Sequence, residues 1–263
     1  MFGGDMSDAL LKVKDLSIQF GGLKAVDNLN FNIQRGQLAG LIGPNGAGKT
    51  TVFNMLTGVY RPTHGEILLE GKSVVGLKPF EISHVGITRT FQNIRLFKDL
   101  SVMENILIAS HQHVSYKIWD SVMMTKKFDQ QEKQNKEKAY ELLKVFGMEN
   151  KALELSSSLP YGEQRKLEII RALATDPKLI LLDEPAAGMN HSETHKLMET
   201  IAKVRRDFNL TVLLIEHDMK LVMGICENIV VLDHGVKIDE GPATHIQNSK
   251  KVIEAYLGVA EET

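Results

Sequence analysis

With 263 residues, 43% hydrophobic and 24% charged, the chain has the composition of an ordinary globular protein and enough length to bury a sizeable core, which excludes disordered and collagen-like classes. Its 31 Lys and Arg against 33 Asp and Glu give a net charge of -2, no broad electrostatic reason to bind nucleic acid, and its one cysteine, Cys226, excludes an internal disulfide. The longest aliphatic runs, 179–182 and 212–215, fall far short of the roughly 18 residues that span a bilayer, and the opening MFGGDMSDALLKVK lacks the basic start and apolar stretch of a secretory leader, so the cytosol is the expected compartment.

In chain order, residues 10–20 and 29–40 alternate apolar and polar positions around the turns Gly21-Gly22 and Arg35-Gly36, which predicts strands. Residues 38–43 read as a buried strand running into a glycine-rich turn, and 49–56 as the helix that follows. From about 93 to 159 the pattern turns helical. The polar stretch 126–138 interleaves both signs of charge and leads into Leu142, Leu143, Val145 and Phe146, which predicts a solvated helix face rather than a nucleic-acid patch. Residues 179–182 and 211–215 predict two more buried strands, with Leu197, Ile201, Val204 and Phe208 on one face of the helix between them. Residues 229–232 and 236–238, joined through His234-Gly235, predict a hairpin. Strands alternating with helices place the chain in the α/β class, with a largely parallel sheet covered on both faces.

Two segments carry chemistry. Gly43, Pro44, Asn45, Gly46, Ala47 and Gly48, followed by Lys49 and Thr50, form a phosphate-binding loop pattern in which glycines let backbone N–H groups turn in around nucleotide phosphates. Lys49 is expected to reach the β and γ phosphates, Thr50 to place its hydroxyl on Mg²⁺, and Thr51 to continue the nucleotide contacts on a helix whose N-terminus favours the same anion. Farther on, four aliphatic residues end in Asp183 and Glu184. A buried strand emerging beside a phosphate site would let Asp183 hold Mg²⁺, through water, and Glu184 polarise the attacking water, which predicts ATP hydrolysis and not binding alone.

Between these segments, Leu159-Pro160-Tyr161-Gly162-Glu163-Gln164 resembles the signature peptide of ABC-type ATPases, commonly LSGGQ. The resemblance covers essentially the whole chain, with the phosphate loop, Gln92, the signature, the Asp183-Glu184 pair and His217 in family order. It implies a P-loop NTPase (ABC ATPase) core with an N-terminal antiparallel β-subdomain and an inserted α-helical subdomain. The implied organisation is a single nucleotide-binding domain over 9–263, with the helical insertion at about 93–164, a C-terminal hairpin and tail at about 229–263, and an N-terminal extension over 1–8. By the same resemblance, Phe20 stacks on adenine, a role that competes with ordinary core packing of a phenylalanine. Gln92 touches Mg²⁺ and the attacking water, and His217 contacts the γ phosphate. Tyr161, Gly162, Glu163 and Gln164 act in trans on the nucleotide of a second subunit. Two positions depart from the pattern: Pro160 replaces a serine whose hydroxyl reaches the opposite γ phosphate, and Asn190 replaces an aspartate.

The segments 90–97, 185–190, 216–220 and 252–258 resemble the LivG type of ATP-binding subunit in branched-chain amino-acid importers. A lipopolysaccharide-export ATPase and a soluble ABC protein of DNA repair or translation are the other readings. The importer resemblance implies a paralogous second ABC ATPase subunit of LivF type, two membrane permease subunits, an extracytoplasmic binding protein and a place on the cytoplasmic face of the inner membrane, with no nucleic acid. Ile94, Leu96 and Phe97, beside Arg95, are expected either to receive a permease helix or to serve as core of the helical lobe.

Overall fold

The computed structural model describes residues 9–113, 119–120, 123 and 125–257; the extension 1–8 and the tail residues from Gly258 on lie outside the described residues. The chain divides into two compact units. One takes the residues up to Arg89, then Leu179–Glu184, then those from Ala202 on; the other takes Thr90–Lys178 and Pro185–Ile201.

The first unit holds two sheets. Strands β1 (Ala9–Phe20) and β2 (Leu23–Gln34) pair antiparallel across the Gly21-Gly22 turn, and β4 (His64–Leu69) and β5 (Lys72–Ser73) complete a four-stranded sheet in the order β2-β1-β4-β5. The second strand starts at Leu23 and not at 29. Its first residues mix Leu23, Ala25 and Val26 with Lys24, Asp27 and Asn28 and show no clean alternation, and pairing with β1 draws them in despite register shifts next to Asp15, where the Asn30 side chain accepts the Asp15 N–H at 2.9 Å.

The other sheet contains β3 (Leu38–Ile42), β6 (Ile87–Arg89), β7 (Leu179–Asp183), β8 (Thr211–Ile215), β9 (Asn228–Asp233) and β10 (Val236–Gly241), in the order β10-β9-β3-β8-β7-β6. All neighbours pair in parallel except β9 and β10, which form the antiparallel hairpin expected at His234-Gly235. Every residue of β3, β7 and β8 is buried, which is why, apart from Gly40, Asp183 and Thr211, their sequences are aliphatic and not alternating. Helix α1 (Lys49–Leu56) follows β3, and its Val52, Phe53, Met55 and Leu56 join one apolar core with residues of both sheets, among them Leu11, Ile33, Leu41 and Leu213. A short helix, α2 (Pro79–Val85), precedes β6.

The second unit is helical. Helix α3 (Val102–Ser110) opens with a reciprocal cap in which Ser101 Oγ accepts the Glu104 N–H at 3.2 Å and Glu104 Oε2 accepts the Ser101 N–H at 2.8 Å. Helix α4 (Lys126–Val145) buries Ala139, Leu142 and Leu143 and turns most of its charges to solvent. Helix α5 (Tyr161–Ala174) carries the signature peptide on its first turn. Helix α6 (His191–Asp207), whose residues from Ala202 on belong to the first unit, buries Leu197, Ile201 and Val204 as their spacing predicts, but Phe208 lies past its end and is 52% exposed, because the chain turns at Asn209 (φ 49) to enter β8. Helices α7 (Met219–Ile225), α8 (Ala243–Ile246) and α9 (Lys250–Leu257) complete the first unit. No helix among the described residues is long and apolar enough to cross a membrane.

Candidate nucleotide site

At the end of β3 the chain must leave the sheet at once. Gly43 has φ 151, and a Cβ there would lie 2.0 Å from the Leu232 carbonyl oxygen, so only glycine fits. Gly48 (φ 99) caps α1; a Cβ on it would come within 2.8 Å of the Ala25 carbonyl. Neither a side-chain cap nor an acidic residue occupies the first turn of α1, so its amide donors and positive dipole end remain for an anion. Between the two glycines, Pro44 is half-buried, Asn45 and Gly46 are exposed and Ala47 is buried, and nothing would lie within 4 Å of a Cβ on Gly46. Thr50 is exposed and Thr51 half-buried on the helix behind.

The Lys49 ammonium donates to the carbonyls of Gly43 at 2.7 Å and Pro44 at 2.8 Å. Burial pushes its pKa down, and the charges of Glu184 and Asp183 act in the opposite direction, which brings these three expected site residues into one electrostatic cluster. Backbone donors, an ammonium and a hydroxyl at a helix N-terminus fit a polyphosphate, and the oxygen donors of Asp183 and Thr50 suit Mg²⁺.

Asp183 ends β7 and is 4% exposed. Its Oδ2 accepts from Arg89 Nη2 at 2.6 Å, while Arg89 Nη1 donates to Asn54 Oδ1 at 2.7 Å and the guanidinium lies over the Phe53 ring at 5.4 Å. Neither Arg89 nor Asn54 stands out in the sequence: a charged residue beside a glutamine loop and a polar one in a helix both read as surface. Glu184 follows in the left-handed region (φ 47), its N–H donating to Ile215 O at 2.9 Å, a backbone state costly for a non-glycine residue.

His217 follows β8 with its ring 69% exposed, its N–H turned to the buried Glu216 carboxylate at 3.3 Å. Phe20, at the end of β1, is 45% exposed and makes an edge-to-face contact with Tyr60 at 5.2 Å. It is therefore not a core aromatic, and Tyr60 adds a second ring that the sequence did not single out.

In the second unit Gln92 is exposed on a stretch without regular secondary structure. The Pro160 carbonyl caps α5, accepting the N–H groups of Glu163 (2.9 Å) and Gln164 (3.0 Å). Each polar signature side chain has an internal partner: Gln164 Nε2 on Leu159 O at 2.8 Å, Glu163 on Lys151 at 2.5 Å, and the Tyr161 hydroxyl on Arg165 at 3.0 Å. A Cβ added to Gly162, on the same turn, would lie 3.8 Å from the Met189 Cε. Asn190 accepts the Glu193 N–H and Glu193 accepts that of Asn190, both at 3.0 Å, so the amide acts as a helix cap, a task that needs no charge. Ile94 and Leu96 line a cleft of about 210 Å³ with Ser156, Tyr161 and Gln164, while Phe97 is 47% exposed with the Arg171 guanidinium 5.1 Å from its ring.

The ABC transporter family profile matches residues 26–187, a span that holds the phosphate loop, Gln92, the signature and the Asp183-Glu184 pair. The chain belongs to the ABC transporter family. It is 46% identical over 255 residues to the high-affinity branched-chain amino acid transport ATP-binding protein LivG of Escherichia coli (strain K12), spanning 97% of this chain and 100% of that protein. The BraF protein of the same description from Pseudomonas aeruginosa gives the same identity and coverage. A crystal structure of an ABC transporter's ATP-binding cassette in its ADP conformation matches with a TM-score of 0.83 at 30% identity, over 95% of this chain and 99% of the other. The fold is thus that of the ABC ATPases, with an antiparallel N-terminal sheet and a helical region, and the chain is an ABC-type ATPase of the LivG/BraF type that works as part of a transporter complex.

Proposed function

We propose that the chain is the ATP-hydrolysing subunit of a branched-chain amino-acid importer. Its full-length 46% identity to LivG and BraF carries that reading over the export and soluble alternatives. The two compact units are read as parts of one nucleotide-binding domain over 9–263, in which 93–164 is the inserted helical subdomain. Lys49 and the loop from Gly43 to Thr51 hold the phosphates, Phe20 stacks on the base, and Thr50, Asp183 and Gln92 hold Mg²⁺. The metal, when bound, neutralises charge on the phosphate oxygens. Glu184, placed at a strand end beside Lys49 and oriented by its left-handed backbone, positions the attacking water with His217. Glu184→Gln is expected to keep ATP binding and lower turnover by about 10² to 10⁴-fold; wild-type hydrolysis by that variant in the transporter would remove Glu184 from the role.

On the cytoplasmic face of the inner membrane, one of the two permeases docks at the cleft beside Ile94 and Leu96, and a binding protein outside delivers the substrate. Crosslinks from cysteines at 93–98 to a permease loop test this docking. Each nucleotide lies between one subunit's phosphate loop and the other's signature, and Pro160 has no hydroxyl to offer, so a LivF-type partner with a serine signature would complete the site built on Lys49, Glu184 and His217. Mutating Glu184 and its partner counterpart separately should hurt transport more at Glu184; equal losses would refute the asymmetry.

A further inference from the structure

Segment 90–97 has no regular secondary structure, so its main-chain groups need other partners. Many of them come from one helix. Arg165 Nη1 donates to Phe91 O at 2.9 Å and Nη2 to Gln92 O, so a single guanidinium fork spans two successive carbonyls on either side of the Gln92 Cα. Glu168 accepts the Phe91 N–H at 3.3 Å and also bonds the Arg95 N–H, and Arg165 and Glu168 pair with each other at 3.3 Å with side chains only 3% and 7% exposed. Arg171, one turn on, donates to Arg95 O.

The same Nη2 that holds Gln92 donates to the Tyr161 hydroxyl at 3.0 Å, inside the signature peptide. Tyr161 in turn closes on the 187–190 turn: a Cβ on Gly188 would lie 2.9 Å from its ring. An apolar residue at 165 could fill the space but could not satisfy two carbonyls and a hydroxyl at once. A buried ion pair is a costly way to gain stability alone, which argues that it is kept for the geometry it fixes.

We propose that Arg165 and Glu168 are positioning residues that lock the Gln92 backbone to Tyr161, so that the Gln92 loop, the signature peptide and the Gly188 turn shift as one piece during the ATPase cycle. This rests on the reading of Gln92 as a nucleotide-site residue.

The test uses Arg165→Met, Arg165→Lys, Glu168→Gln and Gln92→Ala in the full chain, assayed for amide hydrogen exchange alone and for ATPase kinetics in the transporter complex. Arg165→Met should lower kcat by about tenfold or more while KM for ATP stays within about twofold. Exchange over 91–97 should rise about tenfold in the same variant, with the rest of α5 unchanged. Glu168→Gln, which keeps an acceptor for the Phe91 N–H, and Arg165→Lys, which keeps the charge, should each recover part of kcat. Should Arg165→Met fail to fold, the lysine variant decides: one ammonium cannot span both carbonyls and the hydroxyl, so wild-type kcat in it would overturn the proposal. Exchange that rises across all of α5, or a KM change without a kcat change, would mark a merely structural pair and overturn it as well. A large loss in Gln92→Ala with wild-type kcat in Arg165→Met sinks the positioning role alone, whereas wild-type kcat in Gln92→Ala sinks the reading of Gln92 and the proposal with it.

Discussion

The loop from Gly43 to Gly48 and the stretch from Phe91 to Phe97 are both irregular and both carry residues expected at the nucleotide, yet they are held by opposite means. Apart from the Lys49 ammonium on the Gly43 and Pro44 carbonyls, the first is held by main chain: Ala47 N–H on Pro44 O at 3.2 Å, Gly235 N–H on Ala47 O at 3.0 Å, and glycines that bring backbone against backbone. The second is held by side chains from elsewhere in its unit: Arg165, Glu168 and Arg171, then Asn105 and Ser156 on Phe97. Main-chain anchoring leaves no room for an added atom, and side-chain anchoring leaves no room for a changed polarity. The two stretches should therefore fail under different kinds of substitution.

The largest effect is expected from Gly43→Ala. A methyl placed 2.0 Å from Leu232 O and 3.0 Å from Ala47 Cβ cannot be accommodated without moving β9 or the loop, and φ 151 adds strain. A loss of more than about 4 kcal/mol in denaturant unfolding is expected. Gly46→Ala, with φ 83 and nothing within 4 Å, should cost only the strain of about 1–2 kcal/mol. Equal costs at the two glycines would mean that backbone proximity does not anchor the loop.

Asn105 is the corresponding test of the other stretch. Fully buried, it accepts the Phe97 N–H at 3.0 Å and donates to the carbonyls of Phe97, Leu100 and Ser101 at 3.0, 3.3 and 3.0 Å. Asn105→Asp keeps the shape but turns a donor into an acceptor against three carbonyls, and a loss of about 3 kcal/mol or more is expected. A shape-conserving change in the first unit, Leu41→Met in fully buried β3, should cost under about 1.5 kcal/mol.

This contrast also decides what the sequence reveals. The phosphate loop is legible because main-chain anchoring demands glycine, and glycine spacing is visible; helix 49–56 and strand 211–215 match their expected limits for the same reason of strong local constraint. Strands β4, β5 and β6 leave no sequence pattern because they are 6, 2 and 3 residues long, with few buried positions. Residues 23–28 hid their strand behind Lys24 and Asp27, whose side chains pair with each other at 3.0 Å at the surface. Arg165, Glu168, Arg89 and Asn105 are invisible on a different ground. In sequence, Gln-Arg-Lys-Leu-Glu looks like any solvated helix face, and only the fold shows that Arg165 is 3% exposed.

A smaller effect asks whether burial is what gives such a clamp its strength. Near the end of the first unit, Asp239 on β10 accepts from Ser249 Oγ and contacts His245 Nε2 at 2.8 Å, tying α8 and the segment before α9 to the hairpin. This anchor is also built from side chains but is open to water, with Asp239 18% and His245 54% exposed. Burial works against the Asp239 charge, but the hydrogen bonds from Ser249, His245 and the Glu240 N–H outweigh it and hold the carboxyl below its ordinary 3.8. A carboxyl whose folded value is depressed stabilises the fold above that ordinary value, and the contribution fades as pH falls through the lower folded one. Solvent screening keeps the contribution within about 1 kcal/mol. Hydrogen exchange over 243–257 should therefore quicken, after correction for intrinsic rates, between pH 5 and strongly acid solution. Asp239→Asn should exchange faster already at pH 5 and lose that dependence; an unchanged acid response in the variant would show that the tail is held by its apolar contacts and that this exposed clamp contributes nothing.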